Sequence, residues 1–213
     1  MRSYKQFCGL AKALEIIGDR WTLLIVRELL ARGRSRYTDL QDGLPGIATN
    51  LLADRLRELE EAGIIQREDA PPPIATSLFR LTPRGEELEA VIFALGRWGV
   101  PLLASASKSD TFRSHWLAFP AKLYLKDHTP DRPPISIEVC MDDHPFVIET
   151  SGGAVRTRIG SAEKPDAILT GSPLVVAGLI GGNMTLAAAR RAGLHYEGDP
   201  NALRRLQPLA FAS

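Results

Sequence analysis

The sequence has few cysteines and no long apolar run, and each of these two scarcities excludes a class of protein. Its 213 residues contain two cysteines, Cys8 and Cys140, too few for a disulfide framework, which favours a reducing compartment. The N-terminal residues lack the apolar core of a signal peptide, and no apolar run is long enough to span a membrane. We therefore expect a cytoplasmic protein with no membrane partner.

Charge is distributed unevenly, although the formal net charge is only +1. Residues 20–57 contain seven arginines, no lysine and four acidic residues, and three glutamates follow within residues 58–61. A local basic segment of this kind is typical of a small DNA-binding domain. The alternative for any single arginine is an ordinary solvated surface charge.

The N-terminal half has the periodicity of a helical domain. Apolar side chains recur at helical spacing in four segments: 7–17, 21–31, 37–44 and 49–62. Asp19 is the predicted N-cap of the second helix, and Gly63 is predicted to end the fourth. Three leucines of the fourth helix, Leu52, Leu56 and Leu59, would face the core.

A hairpin and a further helix are predicted after these four segments. The strands are IIQRED and SLFRLT, joined by the loop APPPIA, because three prolines cannot lie in a central strand. Thr82 and Pro83 then begin a helix that continues to about Leu103. This order of elements predicts a winged helix-turn-helix, with the hairpin as its wing.

Thr49 and Asn50 are short polar residues at the start of the fourth helix, where backbone donors bind phosphate well. Asparagine can pair with adenine and arginine with guanine, while hydroxyls more often contact phosphate. The alternative is that Thr49 or Asn50 merely caps the helix. We predict DNA contacts for six residues: Arg34, Arg36, Tyr37, Thr49, Asn50 and Arg55.

The composition changes at Ala104, and the remaining residues predict a second domain. The runs ISIEVCM, PFVIET and AVRTRIG alternate as strands of an antiparallel meander, with further strands at DAILTGS and LHYEGD and helices around them. The fold class is therefore α+β, with an antiparallel sheet covered by helices in the second domain. The predicted divisions are a winged helix-turn-helix DNA-binding and dimerisation domain at 1–104, a linker and bridging helix at 105–134, and the α+β domain at 135–213.

The N-terminal half resembles the HxlR family of winged-helix transcriptional regulators. The resemblance rests on CGLAKALEIIGDRWTLLIVREL, RSRYTDLQDGLPGIATNLLADRLRELEEAGII, APPPIATSLFRLTPRGEEL and FALGRWG, in this order. It implies a homodimer that binds inverted-repeat operators in double-stranded DNA, and we expect a repressor. The expected dimer contacts are Leu14, Ile17, Val91, Leu95 and Trp98, for which the alternative is a role in the core of the domain itself.

Cys8 lies where many members of that family carry a cysteine, which in some of them senses oxidants. It would begin the first helix, close to Lys5 and Lys12, and such a setting favours a thiolate. The resemblance therefore implies a redox sensor at Cys8. The alternative is an unreactive buried cysteine.

Residues 135–209 resemble the sterol carrier protein type of lipid-binding domain, on the phrase PDAILTGSPLVVAGLIGGNMTLAAARRAGLHYEGDPNALRRL. The resemblance implies a tunnel for a small hydrophobic ligand. The alternative is that the same side chains fill a solid core. The expected pocket residues are Val175, Val176, Leu179, Ile180, Met184 and Leu186.

Three functions compete for this sequence. The first is a dimeric transcription regulator modulated by a small apolar ligand, and the second is a ligand carrier that uses the winged helix for dimerisation. The third, an enzyme, requires a polar constellation that the sequence lacks, so we predict no catalytic residue, no metal site and no cofactor.

Overall fold

The computed structural model describes residues 3–69, 77–105, 107, 109–141 and 145–206. The chain divides into two compact units, Met1–Ser109 (the N-terminal unit) and Asp110–Ser213 (the C-terminal unit). Both units combine helices with a sheet, which confirms the α+β fold class. The predicted loop APPPIA lies outside the described residues. No described helix is both long and apolar enough to cross a membrane.

The N-terminal unit is a winged helix-turn-helix. Its helices are α1 (Gly9–Ile17), α2 (Thr22–Arg32), α3 (Tyr37–Gly43), α4 (Thr49–Glu61), α5 (Pro83–Glu86), α6 (Leu88–Gly99) and a 3-10 helix (Val100–Ser105). Its strands are β1 (Ser35–Arg36), β2 (Ile65–Asp69) and β3 (Ser77–Leu81). The strands form an antiparallel sheet in the order β1-β3-β2, and α3 and α4 are the helix-turn-helix pair.

Helix α4 is held against the unit by one apolar face. Leu52, Leu56 and Leu59 are buried, as predicted, and burial of each leucine side chain contributes about 2 kcal/mol. The helix ends at a Schellman motif, because the amide of Gly63, whose φ is 69°, bonds to Glu60 O and the amide of Ile64 bonds to Leu59 O. The opposite face of α4 is thereby fixed towards solvent.

The predicted caps had different outcomes. The Oγ1 of Thr82 accepts a hydrogen bond from Gly85 N at 3.1 Å, and Pro83 is the first helical residue, which confirms this helix start. The prediction that Asp19 caps α2 is wrong. The N-cap is Trp21, at φ 79°, and no side chain caps it; the Asp19 carboxylate bonds instead to Arg55, a partner 36 residues away.

A buried carboxylate of α2 lies against the end of α3. Glu28 is fully buried, and its oxygens bond to Arg27 at 2.8 Å and to Arg32 at 3.1 Å, which offsets the cost of burying the charge. A Cβ at Gly43 would lie 2.1 Å from the Glu28 carboxylate. Glycine therefore allows the end of α3 to approach α2 closely.

The C-terminal unit is a five-stranded sheet with helices packed on it. Its helices are a 3-10 helix (Ser114–Leu117), α7 (Ala118–Tyr124), α8 (Pro173–Ile180), α9 (Leu186–Arg191) and α10 (Pro200–Arg205). Its strands are β4 (Ser136–Cys140), β5 (Phe146–Ser151), β6 (Ala154–Ile159), β7 (Ala167–Thr170) and β8 (His195–Gly198). The strand order is β6-β5-β4-β7-β8.

One strand pair corrects the predicted antiparallel sheet. Strands β4 and β7 are parallel, whereas the other three pairs are antiparallel. The connection after β6 passes β5 and β4 before β7 begins, and Ala162 N on it donates to the Glu138 carboxylate at 2.7 Å. Asp166 then fixes β7 beside β4, since its carboxylate accepts from Ser136 N at 2.7 Å and its amide donates to Ser136 O at 2.8 Å.

The core of the C-terminal unit includes a helix that the sequence placed in a linker. In the segment 105–134, the four residues Leu117, Ala118, Ala121 and Leu125 belong to the same buried cluster as the sheet. Helix α7 is therefore part of the C-terminal unit, which begins earlier than residue 135. The sequence indicates a mostly apolar helix here, but it does not indicate which unit that helix packs against.

An ion pair ties α10 to the chain that precedes β4. Arg205 donates to both carboxylate oxygens of Asp127, at 2.7 and 2.8 Å, and to the carbonyl of Pro133 at 2.6 Å. The Asp127 side chain is fully buried, and its hydrogen bonds from Arg205 hold the pKa of its carboxyl below the ordinary value. Paired charges of this kind are costly to separate.

Candidate nucleic-acid interface

Thr49 and Asn50 are the first two residues of α4, and neither is its N-cap residue. The N-cap is Ala48, which makes no side-chain cap. Both side chains are exposed, and the Asn50 Oδ1 accepts only a local bond of 3.0 Å from Leu51 N. Neither residue is therefore the N-cap, although the Asn50 side chain accepts a bond from one free amide of the first turn. Two short polar side chains stand on solvent at a helix start, where phosphate and base edges are well bound.

Tyr37 supports this helix start from α3. Its hydroxyl donates to the backbone oxygen of Thr49 at 2.6 Å, and the ring is half-buried. The bond joins the first residue of α3 to the first residue of α4. The Tyr37 hydroxyl therefore has a partner within the protein, and positioning of α4 is its evident role.

Arg34 and Arg36 flank the same site and are exposed. The Nε of Arg34 lies 3.4 Å from a carboxylate oxygen of Glu68 in the wing strand β2, and Arg80 donates to the other oxygen. The hydrogen bond from Arg80, together with the charge of Arg34, holds the pKa of Glu68 below its ordinary value. The Glu68 carboxylate thus stays charged and holds Arg34 beside the wing.

Arg55 resembles Tyr37 and differs from the other four predicted DNA contacts, because it is only partly exposed. Its side chain is only 18% exposed, and the same guanidinium nitrogen bonds to Asp19 at 2.7 Å and to Glu58. Asp19 lies in the turn between α1 and α2, so Arg55 fixes α4 to that turn. Direct contact of Arg55 with DNA would compete with these two ion pairs.

We expect Arg55→Ala to weaken DNA binding about fivefold through the position of α4, which corresponds to about 1 kcal/mol of coupling between contacting residues. Asp19→Ala should weaken it to the same degree, and the double variant should be no worse than either single one. The measurement is DNA affinity against salt concentration. A direct phosphate contact would instead lower the salt slope by about one unit in Arg55→Ala alone.

The N-terminal unit exposes an unusual amount of apolar surface on α1 and α6. Although both helices are mainly apolar, α1 buries only Ala11 and α6 only Ile92. Of the five predicted dimer contacts, Ile17 is half-buried and the other four are exposed, with Trp98 at 73%. The large apolar residues exposed on or next to these helices are Phe7, Leu10, Leu14, Val91, Leu95, Trp98, Val100, Leu102 and Leu103. Surfaces of this kind on a monomer indicate an interaction site.

The two cysteines have different environments. Cys8 is exposed at the N-cap of α1, and the nearby Lys12 ammonium pairs with Glu15 at 3.0 Å. Cys140 is half-buried; burial raises the pKa of its thiol, and the hydrogen bond that the thiol donates to Glu138 raises it further. Burial therefore distinguishes an accessible thiol at Cys8 from a protected one at Cys140.

Most of the residues predicted to line a ligand pocket lie in the core of the C-terminal unit instead. Val175, Val176, Leu179 and Ile180 are buried within the core of the C-terminal unit, while Met184 and Leu186 pack against its edge. A groove of about 310 Å³ lies instead between α9 and α10, and Leu186 is the one predicted residue that lines it. Within the described part of the chain, no group of histidine, cysteine or acidic side chains could hold a metal ion.

The fold and the exposed start of α4 define a winged helix-turn-helix protein, and comparison with known proteins agrees. A family described as HxlR-like helix-turn-helix matches residues 16–106. An uncharacterised HTH-type transcriptional regulator of Synechocystis is 35% identical over 100 residues, which cover 47% of this chain and 73% of the relative. The HTH-type transcriptional regulator YodB of Bacillus subtilis is 33% identical over 86 residues, which cover 40% of this chain and 76% of YodB.

A solved structure is also similar. The reduced form of YodB from B. subtilis matches with a TM-score of 0.41 and 28% identity, over 48% of this chain and all of that chain. The chain belongs to the HxlR-like helix-turn-helix family, as its N-terminal motifs predicted. The family match ends at residue 106, so the resemblance of the C-terminal residues to sterol carrier protein stays a prediction.

Proposed function

We propose that this protein is a sequence-specific transcriptional repressor that binds an inverted-repeat operator as a homodimer. The observation that carries the proposal is the start of α4, where Thr49 and Asn50 are exposed and neither is the N-cap residue. Two contacts hold this helix in place: the Tyr37 hydroxyl donates to Thr49 O, and Arg55 donates to the Asp19 carboxylate. The relatives described above are named as transcriptional regulators, and neither is named as an enzyme.

The homodimer is supported by the exposed apolar side chains of α1 and α6. We infer that a second copy of the chain covers these side chains. A dimer related by a two-fold axis would place two α4 helices on successive half-sites. Such half-sites lie about 34 Å apart in the major groove. Residues 1–104 would then serve both DNA binding and dimerisation.

We expect Asn50→Ala to weaken binding to the preferred DNA site by about tenfold, because each bidentate base contact contributes roughly 1–3 kcal/mol of discrimination. The measurement is a titration of a labelled duplex with the full-length protein. Asn201→Ala is the matched control, because Asn201 is likewise exposed and is likewise the second residue of its helix, α10. Equal affinities of the two variants would contradict a reading role for Asn50.

Repression has a separate test. A reporter gene placed behind the bound DNA should be expressed less when the protein is produced, and it should recover when Asn50→Ala replaces the wild type. Increased expression with the wild-type protein would contradict repression while leaving DNA binding intact.

Two further roles complete the proposal. A small ligand bound in the C-terminal unit would alter operator affinity, provided that it binds two conformations unequally.

Exposed Cys8 would act as the redox sensor, and a thiol reagent should therefore modify Cys8 well before Cys140. Equal modification rates would contradict the sensor role.

The alternative function is a carrier that uses the winged helix for dimerisation. It predicts weak DNA binding whose affinity does not change when Asn50 is substituted.

A further inference from the structure

The groove between α9 and α10 has a floor and a rim of different chemistry. Its floor is apolar, because Leu203 is buried in the core and Leu186 packs against that core, with Ala187 beside it. Its rim carries two exposed arginines, Arg190 and Arg204. An apolar molecule on this floor would extend the core of the unit, and an anionic group on it would meet the arginines.

The rim arginines differ from their neighbour Arg205. The guanidinium of Arg205 is committed to Asp127 and to backbone carbonyls, and it is nearly buried. Arg190 instead lies over the ring of Tyr196, with its guanidinium carbon 5.6 Å from the ring centroid. Because the Tyr196 hydroxyl donates to Asp199 O at the start of α10, the ring that carries Arg190 is itself fixed.

The charge on the rim of the groove and the volume of the groove together limit the class of ligand that it can bind. Arginine presents a planar fork of donors that matches a carboxylate, and the match is strongest beside an apolar surface that excludes water. The groove volume of about 310 Å³ is at the small end of the range of about 300–1,000 Å³ for ligand pockets. A medium-chain acid therefore matches this volume better than a molecule of sterol size does.

We propose that the groove lined by Leu186, Arg190, Leu203 and Arg204 binds a small monocarboxylate with an apolar body, such as a medium-chain fatty acid. The apolar body lies on the two leucines, and the carboxylate is held by the two arginines. The inference names the ligand class for the modulation proposed above and rests on that function only for its regulatory meaning. Binding at the groove requires no DNA.

The test is calorimetric titration of the full-length protein with sodium octanoate in the absence of DNA. We expect saturable binding by the wild type and a loss of at least about tenfold in affinity in the variant with both Arg190→Gln and Arg204→Gln, in line with the strength of charge-assisted hydrogen bonds. Arg191→Gln is the matched control, because Arg191 is exposed on the same helix but does not line the groove. Circular dichroism of each variant checks that it is folded.

Two further probes separate the contributions of the rim and the floor. Octanol supplies the apolar body without charge, and inorganic phosphate supplies charge without an apolar body, so both should bind at least about tenfold more weakly than octanoate. Equal binding of either probe would overturn the proposal, as would unchanged octanoate binding in the double variant. If the double variant kept octanoate binding but lost DNA affinity, the arginines would serve the DNA backbone instead. Because octanoate binding is measured without DNA, it can fail or succeed independently of operator recognition.

Discussion

Substitution Trp98→Glu should convert a dimer into a monomer and should weaken operator binding by about a thousandfold, close to the level of non-specific binding. Trp98 is 73% exposed on α6, a mainly apolar helix that buries only Ile92. A glutamate at the centre of an apolar interface would have to lose its hydration without gaining a partner. Once the dimer dissociates, the two half-sites are no longer bound together.

Sedimentation equilibrium measures the first part of this expectation. The wild type should have twice the 23.3 kDa mass of the chain, and the variant should have the mass of one chain. Leu174→Glu is the control, because Leu174 is 81% exposed in the C-terminal unit and its substitution should leave mass and affinity unchanged. A wild-type protein that stays monomeric at every concentration would contradict the dimer proposal.

Substitution Asp127→Asn should lower the free energy of unfolding of the C-terminal unit by about 3 kcal/mol, because it leaves the Arg205 charge nearly buried without its counter-charge. The measurement is guanidinium denaturation at neutral pH, followed by circular dichroism. The control pair is Arg158 with Glu149, which is partly exposed, so Arg158→Gln should change stability by less than about 1 kcal/mol. A loss below about 1 kcal/mol for Asp127→Asn would contradict the assigned role.

The same ion pair predicts a dependence of stability on pH. Arg205 holds the pKa of Asp127 below its unfolded value of about 3.9. The stabilisation is therefore complete above about pH 4 and is lost as the pH falls through the lower folded pKa. Because Asp127→Asn lacks this component, the difference in stability between wild type and variant should shrink in acid. A difference that stayed constant down to pH 2 would contradict the linkage.

Local signals allowed much of the N-terminal unit to be predicted. The leucines of α4, the cap at Thr82 and the left-handed glycine at residue 63 depend on neighbours within a few residues, and the structure has all three as expected. The start of α4 was predicted at Thr49, which is its first residue. The sequence also identified an exposed polar helix start, because that feature depends on only two adjacent residues.

Long-range partners account for the predictions that failed. Asp19 suited an N-cap by residue type, but its carboxylate bonds to Arg55, 36 residues away, and Trp21 takes the cap position. The parallel pair of β4 and β7 depends on the carboxylate of Asp166 bonding to Ser136 N, 30 residues back. No periodicity in the sequence reports such pairs, since each is one choice among many charged or polar residues. The groove arginines were overlooked for a related reason, because the groove forms only where α9 and α10 come together in the fold.

The most direct test of the account is a titration of the wild-type protein against DNA upstream of its own gene and its neighbours, at two salt concentrations, with scrambled duplexes alongside. We predict that one duplex containing an inverted repeat is bound at least about a thousandfold more tightly than its scrambled version. That preference should persist at the higher salt concentration. If every duplex is bound alike and released together as salt rises, the attraction is to the phosphate backbone alone, and sequence-specific recognition by α4 is contradicted.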